Sequence, residues 1–370
     1  MSNSISRLTK LLFVAFFFPS LAAGSSMTFS LARAPYTYHF PRDHASHDTY
    51  RTEWWYFTGH LKAPDGRRFG YELTFFRVAL EPRSPRWAAN QSKWFAYQLY
   101  PAHFAISDVT DAKFTYHETL ARDALRQGHA SDEHLDVAAN GWTLNGSDAL
   151  RPAIHLTARS GGDALVLTLQ SEKPPAIHGH GGISQKGPCL SCASHYYSFT
   201  RLRTIGTVMS GGTRFFVDGN SWMDHEFGSD ELQANQSGWD WFALQLRDGR
   251  EIMLYRLRQR DGTTTPQSSG SVVSREGSVS YVPLRDFTIA ATGTWKSPHT
   301  HAVYPSGWRV TIKGVETPLQ IVPLLADQEL ADASGTTYWE GASDVRDAKT
   351  GESIGEAYVE LTGYASNLRL

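Results

Sequence analysis

The 370-residue chain carries 35 Lys and Arg against 37 Asp and Glu, a formal charge of −2, and no basic excess points to nucleic acid. Aromatic residues make up 12% of it, with 11 Trp, so broad apolar surface must be covered by packing or by a ligand. Once an N-terminal leader is set aside, about 345 residues remain, more than one core usually organises, and size alone suggests two domains.

The leader is the first element. Arg7 and Lys10 precede an apolar stretch from Leu11 to Ala23, and Ala22, Ala23 and Gly24 lead into a polar run. That is the layout of a Sec-type signal peptide cleaved near Gly24. Its apolar stretch is shorter than the roughly 20 residues a membrane-spanning helix needs. It has no cysteine to accept a lipid and no arginine pair, which predicts a soluble periplasmic or secreted protein. The leader takes two basic residues and no acidic ones, so the chain after it is acidic by four charges.

Strand signals dominate the remainder of the chain. Tyr71 to Leu80, Lys93 to Asp108, Ala153 to Arg159 and Ala164 to Ser171 are apolar or alternating runs bounded by Gly, Pro, Asp or Asn. Tyr116 to Gln127 reads as the one helical insert, because Leu120, Ala124 and Leu125 would share a face. His178-Gly-His180 sits among glycines and reads as a loop at a barrel mouth. Cys189 and Cys192 stand in a Pro, Gly and Ser-rich setting where a small local disulfide is the default, with free thiols or a metal half-site as alternatives. His195 to Ser198 begin a further strand in which Tyr196 could face inward as a hydrogen-bond donor.

A repeated unit organises the chain. Glu53 to Arg77 holds an aromatic strand, a turn at Asp65-Gly66 and a returning apolar strand, and Gly238 to Arg258 repeats that order around Asp248-Gly249. Asp-Gly between alternating strands marks a tight hairpin, since Gly adopts the positive φ the turn requires. Trp54-Trp55-Tyr56-Phe57 aligns with Trp239-Asp240-Trp241-Phe242. Two such copies predict two similar antiparallel barrels, divided near residue 230 into 25–230 and 231–370, with a last hairpin from Thr337 to Tyr364. Closing the sheets hides their edges, and a barrel of about eight strands holds packed side chains or one small ligand.

Ser221 to Asp230, "SWMDHEFGSD", is the strongest chemical candidate. In an extended strand Asp224 and Glu226 share a face with Trp222 while His225 points the other way. Carboxylates on an aromatic surface lose hydration, which lifts a carboxyl toward the range of a general acid. They could equally cap turns or pair with Arg201, Arg203 or Arg256. Glu53 offers either a matching acid or a strand anchor. No nucleophile elbow, phosphate loop, dinucleotide fingerprint or zinc-protease motif occurs, and no cofactor or metal is expected.

The segments "EWWYFTGHL", "YELTFFR", "GGISQKGP", "ASHYYSFTRL", "SWMDHEFG", "GWDWFALQL", "YWEGA" and "YVELTGY" together resemble the carotenoid 1,2-hydratase (hydroxyneurosporene synthase) family, in its secreted AttH-like branch. The resemblance implies two tandem lipocalin-like barrels with an apolar ligand at their interface or inside one. It also implies acid-catalysed addition of water to an isoprenoid double bond, although relatives of this architecture also direct cyclisations. The resemblance itself carries no catalytic residue across; on the reading of the residues, Asp224 and Glu226 are the expected catalytic pair, donating a proton and positioning water. Trp222, Trp239, Trp241, Trp55, Tyr196 and Tyr255 are the expected ligand contacts. The competing expectation is a non-catalytic carrier of a hydrophobic molecule or lipid, working beside an ABC transporter permease.

Overall fold

A computed structural model describes residues 28–84, 92, 94–229, 233–331 and 337–366. The expected leader, residues 1–24, and Asp230, beside the expected division, lie outside the described residues. No helix among the described residues is long and apolar enough to cross a membrane.

The fold is nearly all β, in two tandem, nearly closed antiparallel barrels of lipocalin-like form. The first hairpin pairs Thr52–Lys62 with Arg68–Ala79 around Gly66 at φ +90°, and the second pairs Gln236–Leu246 with Glu251–Gln259 around Gly249 at φ +86°. Asp65 and Asp248 cap the two turns alike, each side chain accepting the backbone N–H two residues on, at 3.0 Å. In the first sheet Thr52–Lys62 continues into the long pair Thr213–Gly228 and Ala193–Ser210, then Asp163–Ser171 and Ala153–Ser160. In the second, Gln236–Leu246 continues into Ser353–Thr362, Thr337–Asp347, Leu319–Pro323 and Trp308–Ile312. Each hairpin thus holds the same place in its own sheet.

Alternation decides where each side chain goes. Trp55 and Phe57 fill the first barrel with Tyr71, Leu73, Phe104 and Phe199. Phe242 and Leu244 fill the second with Leu254, Trp308, Trp339 and Val359. Both interiors are packed cores. The intervening residues Tyr56, Trp241 and Ala243 point outward, where the barrels meet, and form a third cluster with Tyr196, Trp222, Met253 and Tyr358.

One expected element is absent. Tyr116 to Gln127 is no helix: Lys113–Arg122 is a strand paired along Gln98–Asp108, followed by a turn with Leu125 and Arg126 at positive φ. Leu120 and Leu125 are exposed, so the supposed apolar face has nothing to pack on. Ten-residue pairing and a bond from the Tyr116 hydroxyl to the Ala331 carbonyl at 2.8 Å outweigh a weak helical preference.

The second core also explains a glycine. The Trp339 indole lies across Gly341, two residues on and on the same face, and a Cβ there would stand 1.8 Å from the ring. Gly341→Ala is therefore expected to destabilise the protein by about 1–3 kcal/mol through overpacking, read as a lowered denaturant midpoint at unchanged slope.

Candidate active site

The facing outer surfaces of the barrels enclose a cavity of about 90 Å³. Two equivalent rows of residues run beside it, and all of their members but Ser198 and Glu340 line it. On the first barrel Thr74, Tyr56, Asp224 and Ser198 stand abreast on four neighbouring strands. On the second, Tyr255, Trp241, Glu360 and Glu340 stand abreast in the same order. Trp54 and Trp239 flank these rows and, with Phe76, keep partial exposure that marks where the cavity opens.

Asp224 lies at the centre of a hydrogen-bond cluster. Its Oδ1 accepts from Trp222 Nε1 at 2.6 Å and from the Ser198 hydroxyl, and its Oδ2 accepts from the Tyr196 hydroxyl at 2.6 Å. Trp241 Nε1 donates in turn to the Tyr196 oxygen at 3.0 Å, tying the cluster to the second barrel. Burial pushes the Asp224 carboxyl up to about 7, outweighing the three donors, and the like charge of Glu226 adds to the rise. Behind Ser198, buried His178 contacts that hydroxyl at 2.6 Å through Nε2 and Ser271 of the second barrel at 2.9 Å through Nδ1. Burial pushes this imidazole down to about 3, so it is neutral at physiological pH.

Glu226 shares the wall but differs in chemistry. It accepts from Ser194 and pairs with Lys186 Nζ at 3.0 Å. Lys186 stands over the rings of Tyr255 and Tyr196, 4.2 and 5.0 Å from their centroids. Arg201 and Arg256, considered as partners for these carboxylates, instead pair with Glu251 and Asp240.

Asp224, Glu226, Tyr196, Trp239, Trp241 and Tyr255 thus meet at one cavity, with Trp222 supporting Asp224 from the side. Trp55 does not join them. It is fully buried inside the first barrel, with its N–H on the His44 carbonyl at 3.0 Å, because alternation sends Trp54 and Tyr56 to the cavity instead. Nor is His178 in an open loop. Glu53 is an anchor: it pairs with Arg77 at 2.9 Å and accepts from His47 and His225 at 2.8 Å each. Burial alone would raise its carboxyl, but Arg77 and His47 hold it well below the usual range. The three side chains His47, Glu53 and His225 have metal-ligand spacing, yet the adjacent guanidinium already neutralises the carboxylate. Cys189 and Cys192 form a disulfide three residues after Lys186, in the loop that carries it.

Lys186 and Glu360 belong to "GGISQKGP" and "YVELTGY", and neither stretch announces chemistry on its own. Counting by twos from Trp239 and Trp241 finds Trp54 and Tyr56 through the hairpin alignment, but no local pattern pairs Glu360 with Asp224.

Asp224 titrates near 3.9 in an unfolded chain and near 7 in the fold. Between those values the folded chain keeps a proton that the unfolded chain has lost, so the Asp224 contribution to stability falls as pH rises and levels off above 7. Asp224→Asn is accordingly expected to raise the thermal midpoint relative to the wild-type chain at pH 8 and to change it little at pH 4. Calorimetry at both values reads the difference, and an unchanged midpoint at pH 8 would contradict the buried acid.

Comparison with known proteins agrees with this architecture. Residues 31–364 match the family described as AttH-like. No curated protein sequence matches. An AttH structure from Nitrosomonas europaea is 31% identical with a TM-score of 0.80, covering 90% of this chain and all of that one. Kievitone hydratase from Nectria haematococca shares the fold at 15% identity and a TM-score of 0.64, covering 92% of this chain and 97% of its own. So does CghA, solved with Sch210972, at 11% identity and a TM-score of 0.51, covering 85% of this chain and 89% of its own. The chain belongs to the AttH-like family.

Proposed function

We propose that the protein is an exported, periplasmic enzyme that adds water to the terminal double bond of an acyclic isoprenoid or similar polyene by acid catalysis. The observation that carries this reading is a carboxyl, Asp224, that retains its proton near neutral pH on the wall of an aromatic cavity. Its neighbours suit a short-lived carbocation. Tyr56 and Trp241 meet edge to face at 5.2 Å, and their rings with those of Trp54 and Trp239 offer π faces to a positive carbon.

Size supports the substrate class. The cavity is smaller than the roughly 150 Å³ space that admits benzene, so it takes the branched end of a chain and leaves the remainder in the mouth beside Trp54 and Trp239. Asp224 then gives its proton to the less substituted alkene carbon, and the cation forms at the tertiary carbon. His178, neutral and linked through Ser198, orients the acid from behind. The hydratase among the structural neighbours is compatible with such chemistry on this fold.

The test is to purify the exported protein, extract it with organic solvent, and identify bound molecules by mass spectrometry before and after incubation in ¹⁸O-labelled water. The expected result is an apolar polyene, together with a heavier alcohol that carries ¹⁸O. Asp224→Asn should fold and lose at least 100-fold of that conversion. A ligand recovered unaltered under all conditions would instead identify a carrier of the kind an exporter would use.

A further inference from the structure

The pairing of the two barrels singles out a second carboxyl. Asp224 lies between Tyr56 and Ser198 on its neighbouring strands, and Glu360 lies between Trp241 and Glu340 on the equivalent strands of the second barrel. Both line the same cavity, and Glu360 feels the Asp224 charge across it. The one hydrogen bond to Glu360 among the described residues comes from Trp239 Nε1, at 2.8 Å on Oε2. By contrast, both oxygens of Asp224 are occupied by donors, and Glu226 is tied to Lys186 and Ser194. Ser194 and Lys186 both contact Glu226 through Oε1, so what sets Glu360 apart among the cavity carboxyls is an oxygen that no donor reaches together with the lack of a cationic partner among the described residues.

We propose that Glu360 is the catalytic base that completes the site, receiving the proton of the water whose oxygen attacks the cation formed by Asp224. This rests on the hydration reading and extends it to the second barrel. The alkene π electrons bond the Asp224 proton, and a water lone pair forms the new C–O bond at the tertiary carbon. The proton that this water sheds passes to the Glu360 carboxylate, leaving a neutral alcohol. Asp224 ends as carboxylate and Glu360 as carboxylic acid, and return of one proton through cavity water resets the pair. No oxidant or further reactant is needed.

Asp224 near 7 and Glu360 near 8 share one proton between those values, and the form that reacts, with that proton on Asp224 and Glu360 as carboxylate, is the less populated of the two singly protonated forms. Burial pushes Glu360 up to about 8, and the Asp224 and Glu226 charges add to the rise. Glu340 stands directly across from it on the neighbouring strand and accepts the Tyr56 hydroxyl at 2.5 Å. Glu72 accepts Thr74, which also lines the cavity. Each of these two glutamates keeps one buried oxygen without a partner, as a protonated carboxyl behind Glu360 would. The facing groups are thus Asp224, Glu226, Glu72 and Glu340, with Lys186 as the cation on the wall.

Two measurements test the assignment. Infrared titration of the purified protein should show a protonated carboxyl band that Glu360→Gln removes, and Asp224→Asn should move that band to titrate at lower pH by relieving like-charge repulsion. A Glu360 band that titrates below pH 5, or is unmoved by Asp224→Asn, would overturn the pairing. With neurosporene in detergent as the probe, Glu360→Gln should still exchange deuterium from D₂O into the alkene, while incorporation of ¹⁸O falls at least tenfold. Glu360→Asp should restore part of it, and Asp224→Asn should lose both signals. Hydration by Glu360→Gln at the wild-type rate would remove Glu360 from the mechanism. A wild-type protein giving neither label would count against the hydration reading itself, and the infrared result would then decide the pairing alone.

Discussion

Everything in this site depends on two sheets burying their outer faces against each other. A barrel ordinarily fills its interior and shows its other face to water, but here the outer faces carry Tyr56, Trp222 and Trp241, too apolar to remain wet. Their mutual cover removes water from Asp224 and Glu360, and lost hydration is the largest cause of the upward shift in both carboxyls. The contact is also specific, because polar bonds cross it. The Tyr56 hydroxyl reaches Glu340, Trp241 reaches Tyr196, and His60 reaches the Ala357 carbonyl at 2.9 Å. Desolvation and registration therefore come from one interface.

That arrangement explains how much the sequence disclosed. Asp-Gly turns and alternating runs mark the hairpins, since a two-residue turn and a period of two are local properties. The shared face of Asp224 and Glu226 comes from the same period. What alternation leaves open is which face is the barrel interior when both faces end up buried. Trp55 looks no different from Trp54 in the chain, yet one packs under His225 and the other opens on the cavity. Glu360 is harder still, because its relation to Asp224 arises only when strands some 130 residues apart in sequence are laid on equivalent positions of two sheets. The Tyr116 segment misled for a related reason: its helical spacing is a local signal, and long-range pairing overrode it.

The molecule carries two kinds of buried carboxyl, and the contrast separates scaffold from chemistry. Glu53 and Glu251 are matched by basic groups, Arg77 for one and Lys173 with Arg201 for the other. Such pairs fix the chain around them. Asp224, Glu360, Glu340 and Glu72 have no basic partner in hydrogen-bond reach among the described residues, and all four are pushed upward. Unmatched acids of this kind lower stability and mark candidate functional positions. They gather on one side of each barrel, around one cavity. Among the cavity-wall carboxylates, Glu226 alone is salt-bridged, and its partner Lys186 comes from the disulfide-bearing loop.

In the proposed mechanism the working space lies between the barrels, not inside either one. The most direct test is a crystal structure of the purified protein with its extracted apolar ligand restored. Density for the end of the chain is expected between Trp54 and Trp239, with the reactive carbons facing Asp224. Density within the packed core of either barrel, displacing Trp55 or Trp308, would contradict it.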